Sequence, residues 1–269
     1  PSTGMPTKTE QADLVQACFG RNGEAPMPIF APSSPSDCFE VAFEAARIAI
    51  KYMVPVMILS DGYIANGAEP WRMPRAIEDL PGVPVTFYEG GPEGFEPFGR
   101  DEKTLARPWV RPGTPKLEHR IGGLEKADKT GNVSYDAANH QLMTDLRQEK
   151  VDRIASEYPA QAVYGDESGD LLVIGWGGTY GAIHSAVQRA RNEGISVSQV
   201  HLRHLNPLPN DLGDILKRFK KVLVPELNMG QLSMILRARY LVDAIGLNKV
   251  EGLPFKVREI VARIRELVA

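Results

Sequence analysis

The chain has 269 residues, of which 43% are hydrophobic and 24% charged, a composition typical of a globular protein with one large domain or two ordinary ones. Its 31 basic and 34 acidic residues give a net charge of -3, which argues against nucleic acid or an anionic membrane as a partner. The two cysteines, Cys18 and Cys38, are too few for a disulfide framework and cannot hold an iron–sulfur cluster alone. They predict a reducing, cytoplasmic setting, and no apolar run reaches the roughly 18 residues of a membrane span.

The first 61 residues carry a helix–strand–helix–strand pattern. Helix signals begin at Thr7 or Thr9 and end at Gly20, and residues 27–32 read as a short buried strand. Residues 35–53 form the strongest predicted helix, and residues 54–61 are an apolar run typical of a strand buried on both faces of a parallel sheet. The apolar face expected on the strong helix consists of Phe39, Phe43, Ala46, Ile50 and Met53.

This first segment is too small to be a complete domain. A parallel sheet of two strands does not stand alone, and the pattern begins at a helix without the strand that should precede it. We therefore interpret the segment as the second half of an α/β domain whose first half is missing from this sequence or supplied elsewhere.

The middle of the chain is irregular, and the α/β pattern then returns. Residues 62 to about 140 are rich in Pro, Gly and charge, which in so long a stretch favours a functional or interfacial role. A helix is predicted at about 140–158, with Leu142, Leu146, Val151 and Ile154 on its apolar face. From residue 170 the predicted strands are LLVIGW, VSQVHL and KVLVPEL, and the predicted helices span roughly 179–193, 209–218, 229–245 and 256–267.

A glycine-rich turn follows the strand LLVIGW. Gly175 and Gly177 fit the dinucleotide fingerprint G-x-G-x-x-G, but Tyr180 stands where its third glycine belongs. The next strand ends in Arg203 and His204 instead of an acidic residue that would bind a ribose. Glycines that permit close packing are therefore the favoured interpretation, and a contact to phosphate or adenine is the alternative.

Two further turns follow predicted strands. SDGYIAN, residues 60–66, has the Asp-Gly start of a thiamine diphosphate metal motif, but its Asn66 comes too soon for that motif. A turn at the carboxyl end of a parallel strand is the simpler interpretation. In VPELNMGQL, residues 224–232, Asn228 is expected to cap a helix, with a ligand or subunit contact as the alternative.

The N-terminal loop is the other candidate ligand site. PSTGMPTKTEQ runs into a helix start, where backbone amides favour anions, and Lys8 and Arg21 add positive charge nearby. The simpler interpretation is solvation for Lys8 and a contact with the preceding helix C-terminus for Arg21.

No histidine or carboxylate spacing matches a zinc or calcium loop, so no metal site is predicted. His184 and His201 are expected to be structural.

Seven segments in this order resemble the α subunit of the 2-oxoacid:ferredoxin oxidoreductases, most closely the 2-oxoglutarate type. The segments are PSTGMPTKTEQADL, GRNGE, APSSPSDCF, LSDGYIAN, PGTPKLEHRIGGLE, TGNVSYD and VPELNMGQL. The resemblance implies an α/β fold in which residues 1–65 are the second half of a thiamine-diphosphate-binding domain of the pyrimidine type. Residues 66–165 would be an irregular linker with one helix, and residues 166–269 a transketolase C-terminal-like parallel α/β domain.

The resemblance also implies an activity, oxidative decarboxylation of 2-oxoglutarate to succinyl-CoA with electrons passing to ferredoxin, or the reverse carboxylation. Thiamine diphosphate and Mg would lie at the interface with a β subunit, which would carry the metal motif and a 4Fe-4S cluster. Coenzyme A would be the cosubstrate, and this chain alone would hold no cofactor. The family's arginine for the substrate carboxylate maps to Arg21, with Lys8, Thr9 and Gln11 as weaker candidates.

The sequence departs from the family by lacking an earlier segment with a Tyr-Pro-Ile-Thr-Pro loop and the glutamate that activates the aminopyrimidine. We therefore expect no catalysis from this chain alone. Pyruvate or another 2-oxoacid as substrate and a purely structural subunit remain alternatives. An independent NAD-binding protein built on residues 166–269 is disfavoured by the missing acidic residue.

Overall fold

The computed structural model describes Met5 and residues 8–80, 82–83 and 85–269, which form two sheets flanked by helices. The helices are α1 Leu14–Phe19, α2 Asp37–Tyr52, α3 Gly62–Ala65, α4 Ala137–Arg153, α5 Tyr180–Asn192, α6 Leu212–Lys217, α7 Gln231–Tyr240 and α8 Val257–Val268. The strands are β1 Ile29–Phe30, β2 Met57–Ile58, β3 Val163–Tyr164, β4 Gly169–Trp176, β5 Val197–Leu202, β6 His204–Asn206, β7 Phe219–Glu226 and β8 Ala244–Asn248. None of these helices has both the length and the apolarity needed to cross a bilayer.

The first sheet joins distant parts of the chain. Its order is β2-β1-β6, with β2 parallel and β6 antiparallel to β1. Because β6 lies in the later α/β segment, strand β1 from the first 61 residues pairs directly with a strand from the last hundred residues. The predicted burial of residues 54–61 on both faces is wrong, since β2 is an edge strand whose Ile58 is 40% exposed.

Helix α2 lies where the sequence predicts it but buries another face. Its buried residues are Val41, Ala45, Ile48 and Tyr52, which pack with Phe30 and Ile154. The larger Phe39 and Phe43 are only partly buried. Their rings lie 6.4 Å apart, and Trp71 lies 5.0 Å from Phe39. The helical spacing therefore predicts the helix correctly, but the stripe expected to face the core is wrong.

Helix α1 is shorter than predicted. It begins at Leu14, after Asp13 at the N-cap position, because the residues before it run to the second sheet instead of continuing the helix. The amide of Thr9 donates to Gly252 O at 2.9 Å, and that of Gln11 to Leu227 O at 3.0 Å. The proposed cap Thr7 lies outside the described residues.

The second sheet is the larger core. Its order is β3-β5-β4-β7-β8, parallel except for β3. Alternate residues of β4 serve opposite layers: Leu171 and Val173 pack with α5 and α8, and Leu172 and Ile174 pack with α1, α6 and α7. Cover on both faces explains why LLVIGW reads as a continuous apolar run.

Two strands, β3 and β8, are not predicted by the sequence, and the strand predicted to end in Arg203 and His204 is divided into β5 and β6. Residues 244–245 were expected at the end of a helix, but α7 ends at Tyr240, and Leu241 takes a left-handed conformation (φ 54°). Between residues 66 and 136, the described residues contain one regular helix or strand, the short 3-10 helix Ile77–Asp79. Helix α4 begins at Ala137, after the Asp136 cap. Val151 and Ile154 are buried as predicted, but Met143 is buried in place of Leu142.

Candidate functional site

Asp61 connects the two sheets at the carboxyl end of β2. Its Oδ1 accepts hydrogen bonds from the amides of Tyr63 at 2.9 Å and Ile64 at 3.0 Å, so it caps α3. Its Oδ2 accepts from the amide of Gly178 at 2.8 Å, in the turn after β4. SDGYIAN follows a parallel strand as predicted, but Gly62–Ala65 form the short helix α3 where a turn was expected. Asp61 is buried, with 6% of its surface exposed.

The glycines of GWGGTYG permit this close approach. A Cβ on Gly178 would lie 2.5 Å from Asp61 Oδ2, and one on Gly175 would lie 2.3 Å from Ile183 Cδ1. Gly177 has a φ of +57° and lies against Gln11. The packing interpretation is confirmed at these three positions. Since an internal carboxylate already accepts from the Gly178 amide, that amide does not serve a phosphate.

Gln11 closes the same junction from the N-terminal side. Its Nε2 donates to Trp176 O at 2.7 Å, and its Oε1 accepts from the amide of Leu227 at 3.0 Å. The residue is 3% exposed, so both ends of its amide are committed to buried backbone. In this geometry the Gln11 side chain is held by backbone, and the weaker expectation that it contacts substrate or cofactor stays a prediction.

A buried carboxylate, Glu226, ends β7 and is not among the candidates that the sequence indicates. It is 0% exposed and accepts from the amides of Leu232 at 2.7 Å and Ser233 at 3.1 Å, at the start of α7. The Oδ1 of Asn228 accepts from the amides of Gly230 and Gln231. Asn228 thus satisfies amides at this helix start as expected, although the N-cap position itself belongs to Gly230.

These carboxylates bear on whether the chain could hold a diphosphate cofactor. Anions bind well at helix N-termini, but Asp61 fills that place at α3 and at the turn before α5, and Glu226 fills it at α7. The described residues also contain no group of three or more His, Cys, Asp or Glu arranged to hold a metal ion. At α3, at α7 and at the turn before α5, an internal carboxylate therefore occupies the place that a diphosphate would take.

Arg21 lies in the loop after α1 and lines a cavity of about 560 Å³. Its Nε donates to Ala25 O at 3.2 Å, its Nη2 to the same oxygen at 2.5 Å, and its Nη1 to Ala17 O. The Ala17 contact is the helix C-terminus interaction of the simpler interpretation. A guanidinium has five N–H groups, so these three bonds fix its orientation and leave two donors.

The Arg21 cavity has the chemistry of a small-molecule site. Its size is within the usual range for ligand pockets, and such pockets combine an apolar lining with a few polar groups. The apolar lining includes Leu205, Leu208, Met234, Ile235 and Ala238, and the polar groups include Asn206, Gln148 and Arg239. Burial raises the pKa of the lining thiol Cys18 to about 11, against the opposing effect of Arg21, so this thiol is protonated at neutral pH.

The two remaining candidates lie apart from this cavity lining. Lys8 pairs with Glu10 at 2.9 Å, and Thr9 is held by its backbone bond to Gly252. The structure thus does not bring Lys8, Thr9 or Gln11 into the cavity that Arg21 lines.

His201, expected to be structural, has a pKa lowered to about 3 by burial and then by Arg203, so its ring is neutral.

Comparison with known proteins decides the family. A protein-family model described as pyruvate flavodoxin/ferredoxin oxidoreductase, thiamine-diphosphate-binding, matches residues 1–139, more than half of the chain. The chain belongs to this family. A second model, pyruvate:ferredoxin oxidoreductase core domain II, matches residues 169–252. These matches confirm two predictions. One is the family resemblance drawn from the seven segments, and the other is an α/β fold that begins with a thiamine-diphosphate-binding domain.

Individual relatives agree with this assignment. The chain is 54% identical, over its whole length, to a protein of Mycobacterium tuberculosis named 2-oxoglutarate oxidoreductase subunit KorA, of which it spans 41%. It is 32% identical over 87% of its length to subunit alpha of a 2-oxoacid:ferredoxin oxidoreductase of Aeropyrum pernix, of which it spans 37%. The chain therefore spans less than half the length of these relatives.

A solved structure resembles the chain over its full length. This is the 2-oxoglutarate:ferredoxin oxidoreductase of Magnetococcus marinus with 2-oxoglutarate, coenzyme A and succinyl-CoA bound, with a TM-score of 0.89 and 33% identity. The match covers all of this chain and 47% of that one.

Proposed function

We propose that this chain is part of the α subunit of a 2-oxoglutarate:ferredoxin oxidoreductase. The whole protein would convert 2-oxoglutarate and coenzyme A to succinyl-CoA and CO2 with electrons passing to ferredoxin, or run the reverse carboxylation. The observation that carries the proposal is the 54% identity over the full chain to a 2-oxoglutarate oxidoreductase subunit. The likeness to an oxidoreductase with 2-oxoglutarate and succinyl-CoA bound supports it.

The cofactors of the proposed enzyme lie at an interface with a β subunit. Thiamine diphosphate supplies the carbanion chemistry at the oxo carbon, and Mg and a 4Fe-4S cluster belong to the partner. The carboxylates of Asp61 and Glu226 support this division, because they occupy the amides at the starts of α3 and α7 and the Gly178 amide, which could otherwise bind a diphosphate. Further α-subunit sequence, the β subunit and ferredoxin are the proposed partners, and the two free cysteines are consistent with the cytoplasm.

Arg21 is the proposed substrate-binding residue of this chain. A planar guanidinium donates two parallel hydrogen bonds to a carboxylate, which a lysine ammonium cannot do. The Ala17 and Ala25 carbonyls orient Arg21 on the wall of a cavity large enough for a small 2-oxoacid. Preorganisation of this kind lowers the entropic cost of binding.

Pyruvate is the second candidate substrate, since the matching family model is named for pyruvate oxidoreductases. A structural subunit is the second candidate role. The buried side-chain junction of Gln11, Asp61 and Glu226 supports an architectural contribution in either case. An NAD-binding role has less support, because Asp61 accepts from the Gly178 amide in the glycine-rich turn.

The test is reduction of a viologen dye by the purified complex that contains this chain, given coenzyme A and a panel of 2-oxoacids. The proposal predicts coenzyme A-dependent reduction with 2-oxoglutarate well above that with pyruvate or branched-chain oxoacids. Preference for pyruvate would make pyruvate the substrate in place of 2-oxoglutarate. Absence of reduction with every oxoacid, in a complex shown to contain thiamine diphosphate and iron–sulfur cluster, would reject the proposed activity.

A further inference from the structure

Helix α1 leads from the N-terminal loop to Arg21 and is too short to be stable alone. It has six residues, Leu14–Phe19, and isolated helices shorter than about 12 residues are marginal in water. Asp13, at its N-cap position, makes no side-chain capping bond among the described residues and takes a right-handed backbone conformation in place of the extended one usual for a cap. The position of α1 therefore depends on contacts with other parts of the chain.

Gln231, the first residue of α7, supplies such contacts from far along the chain. Its Oε1 accepts a hydrogen bond from the amide of Val15 at 2.9 Å, 216 positions away, and its Nε2 donates to Ala12 O at 2.8 Å. The first bond satisfies one of the unpaired amides at a helix start, which is what an N-cap side chain normally does. One glutamine side chain thus holds both the start of α1 and the backbone that enters it.

The start of α7 is itself held by buried groups. The amide of Gln231 donates to Asn228 Oδ1 at 2.9 Å, and Glu226 accepts from the next two amides of the helix, those of Leu232 and Ser233. Both Asn228 and Glu226 are buried. Gln231 therefore projects from a rigid helix start, and a side chain held in this way can fix the place of another element.

Buried apolar contacts join the same two helices. Leu14 and Ala17 of α1 lie in one core cluster with Leu232 and Leu236 of α7. Apolar burial holds α1 against α7, but it is non-directional and sets neither the rotation nor the axial position of so short a helix. The two hydrogen bonds of Gln231 depend on distance and angle, so they restrict both.

Arg21 is connected to the other end of α1. Its Nη1 donates to Ala17 O, and its remaining protein bonds go to Ala25 O in the loop. A shift of α1 therefore moves one of the two carbonyls that orient the guanidinium and leaves the other in place. A displacement of about 1 Å at a group that positions substrate can lower catalysis roughly a hundredfold.

The side of α7 that holds α1 continues into the cavity that Arg21 lines. Met234, Ile235 and Ala238 follow Gln231 by three, four and seven positions, and all three line that cavity. Residues with this spacing share one side of a helix. One rigid helix face thus supplies a cavity wall and also the contact that determines where α1, and with it Arg21, lies relative to that wall.

We propose that Gln231 is a positioning residue for Arg21 and acts through α1. The inference rests on the proposed function, in which Arg21 binds the carboxylate of the 2-oxoacid. Loss of the two Gln231 bonds leaves α1 free to shift, and the guanidinium then no longer meets the carboxylate in the geometry of two parallel hydrogen bonds. Gln231 needs no contact with the substrate for this role.

The experiment is a double-mutant cycle in the purified complex that contains this chain, with Gln231→Met and Arg21→Ala made singly and together. Gln231→Met nearly keeps the side-chain volume and removes both hydrogen bonds. Gln231→Glu keeps an acceptor for the Val15 amide and loses the donor to Ala12 O, and it takes the place of Gln231→Met if that variant does not assemble. Gln188→Ala is the matched control, because Gln188 is an exposed glutamine on α5.

Gln231→Met should lower kcat/KM for 2-oxoglutarate about fivefold or more and leave kcat/KM for coenzyme A within about twofold of the wild type. In the Arg21→Ala background it should have almost no further effect, because the group that it positions is gone. Gln188→Ala should change neither value. Full additivity of the two changes, or wild-type kcat/KM in an assembled Gln231 variant, overturns the positioning role alone. Wild-type kinetics of Arg21→Ala overturn it together with the substrate-binding role of Arg21.

Hydrogen exchange measured by mass spectrometry tests the same link without turnover. In Gln231→Met the amides of residues 14–25 should exchange faster than in the wild type, because α1 loses its cap and opens more often, while Gln188→Ala should leave them unchanged. Unchanged exchange in Gln231→Met overturns the proposal. Faster exchange in a complex that is inactive with every oxoacid supports the link between Gln231 and the Arg21 loop and rejects only the proposed activity.

Discussion

The carboxylate of Asp61 accepts a hydrogen bond from the backbone amide of Gly178, 117 positions later in the chain. The same carboxylate caps α3 through its other oxygen. One side chain therefore fixes the end of β2 relative to the turn after β4, and the junction depends on a glycine that lets the two approach. Stability at this junction should be sensitive to a single added methyl group.

Gly178→Ala should destabilise the protein by about 1–3 kcal/mol, the usual cost of overpacking a tight site. The added Cβ would lie 2.5 Å from Asp61 Oδ2, and the carboxylate is held from both sides. Gly181→Ala is the matched control, three residues on in α5, where a Cβ meets nothing within 4 Å. It should be neutral or stabilise by up to about 1 kcal/mol, because alanine favours helix. Urea unfolding measures both, and equal midpoints would contradict the packing role of Gly178.

Glu226→Gln should cost about 1–3 kcal/mol of unfolding free energy, although it changes the volume very little. Both carboxylate oxygens accept from donors, including the amides of Leu232 and Ser233. An amide NH2 in place of one oxygen faces an N–H group and leaves it unsatisfied. Glu167→Gln, at an exposed ion pair with Arg218, should change stability by less than about 0.5 kcal/mol. Thermal unfolding compares the two variants, and similar shifts would show that Glu226 is not an essential acceptor.

Lys150 should make stability rise with pH above about 8. Its folded pKa is lowered to about 8 from 10.5, so the unfolded chain binds the extra proton between these values. The cost of burying the charge is complete below pH 8 and disappears as the pH approaches 10.5. Lys150→Met removes the titrating group and keeps the apolar stem. The variant's stability advantage over the wild type should therefore shrink by roughly 2 kcal/mol between pH 7 and 9.5.

Denaturant unfolding at several pH values in this range measures the difference in unfolding free energy between Lys150→Met and the wild type. The other titrating groups are common to both proteins, so their contributions cancel in this difference. Lys217→Met is the control, since Lys217 is an exposed lysine with a 3.1 Å pair to Asp214. The difference measured for Lys150→Met should change more with pH than the difference measured for this control. A pH-independent difference for Lys150→Met would mean that Lys150 keeps an ordinary pKa in the folded protein.

Local sequence signals were sufficient where one element determines its own environment. The run LLVIGW correctly predicted a strand, and every residue from Leu171 to Trp176 is buried. Periodicity located α2 but not its buried face, since a stripe of aromatics and a stripe of smaller residues share the same helical period. Strand β8 had no signal, because α7 ends at the non-glycine residue Leu241 in a left-handed conformation that no local rule anticipates.

The site was less predictable than the fold, because its contacts join distant positions. Its place in the stretch that leads from the N-terminal loop into a helix made Gln11 a candidate ligand residue. Its side-chain oxygen instead accepts a hydrogen bond from the amide of Leu227, 216 positions away. Glu226 was overlooked because a strand-terminal carboxylate is informative only once the start of α7 is known to face it. Arg21 was selected by resemblance, and the structure adds its cavity and its orientation by two backbone carbonyls.

The central claim, that this chain contributes a substrate-binding group to a 2-oxoacid oxidoreductase, is tested most directly by steady-state kinetics of Arg21→Ala in the whole complex. Arg218→Ala is the control, because Arg218 is an exposed arginine paired with Glu167 at 3.0 Å and does not line the Arg21 cavity. We predict that Arg21→Ala lowers kcat/KM for 2-oxoglutarate by about tenfold or more, with wild-type assembly and cofactor content, and that Arg218→Ala changes it much less. Wild-type kinetics in a correctly assembled Arg21→Ala complex would contradict the claim and favour a structural role for this chain.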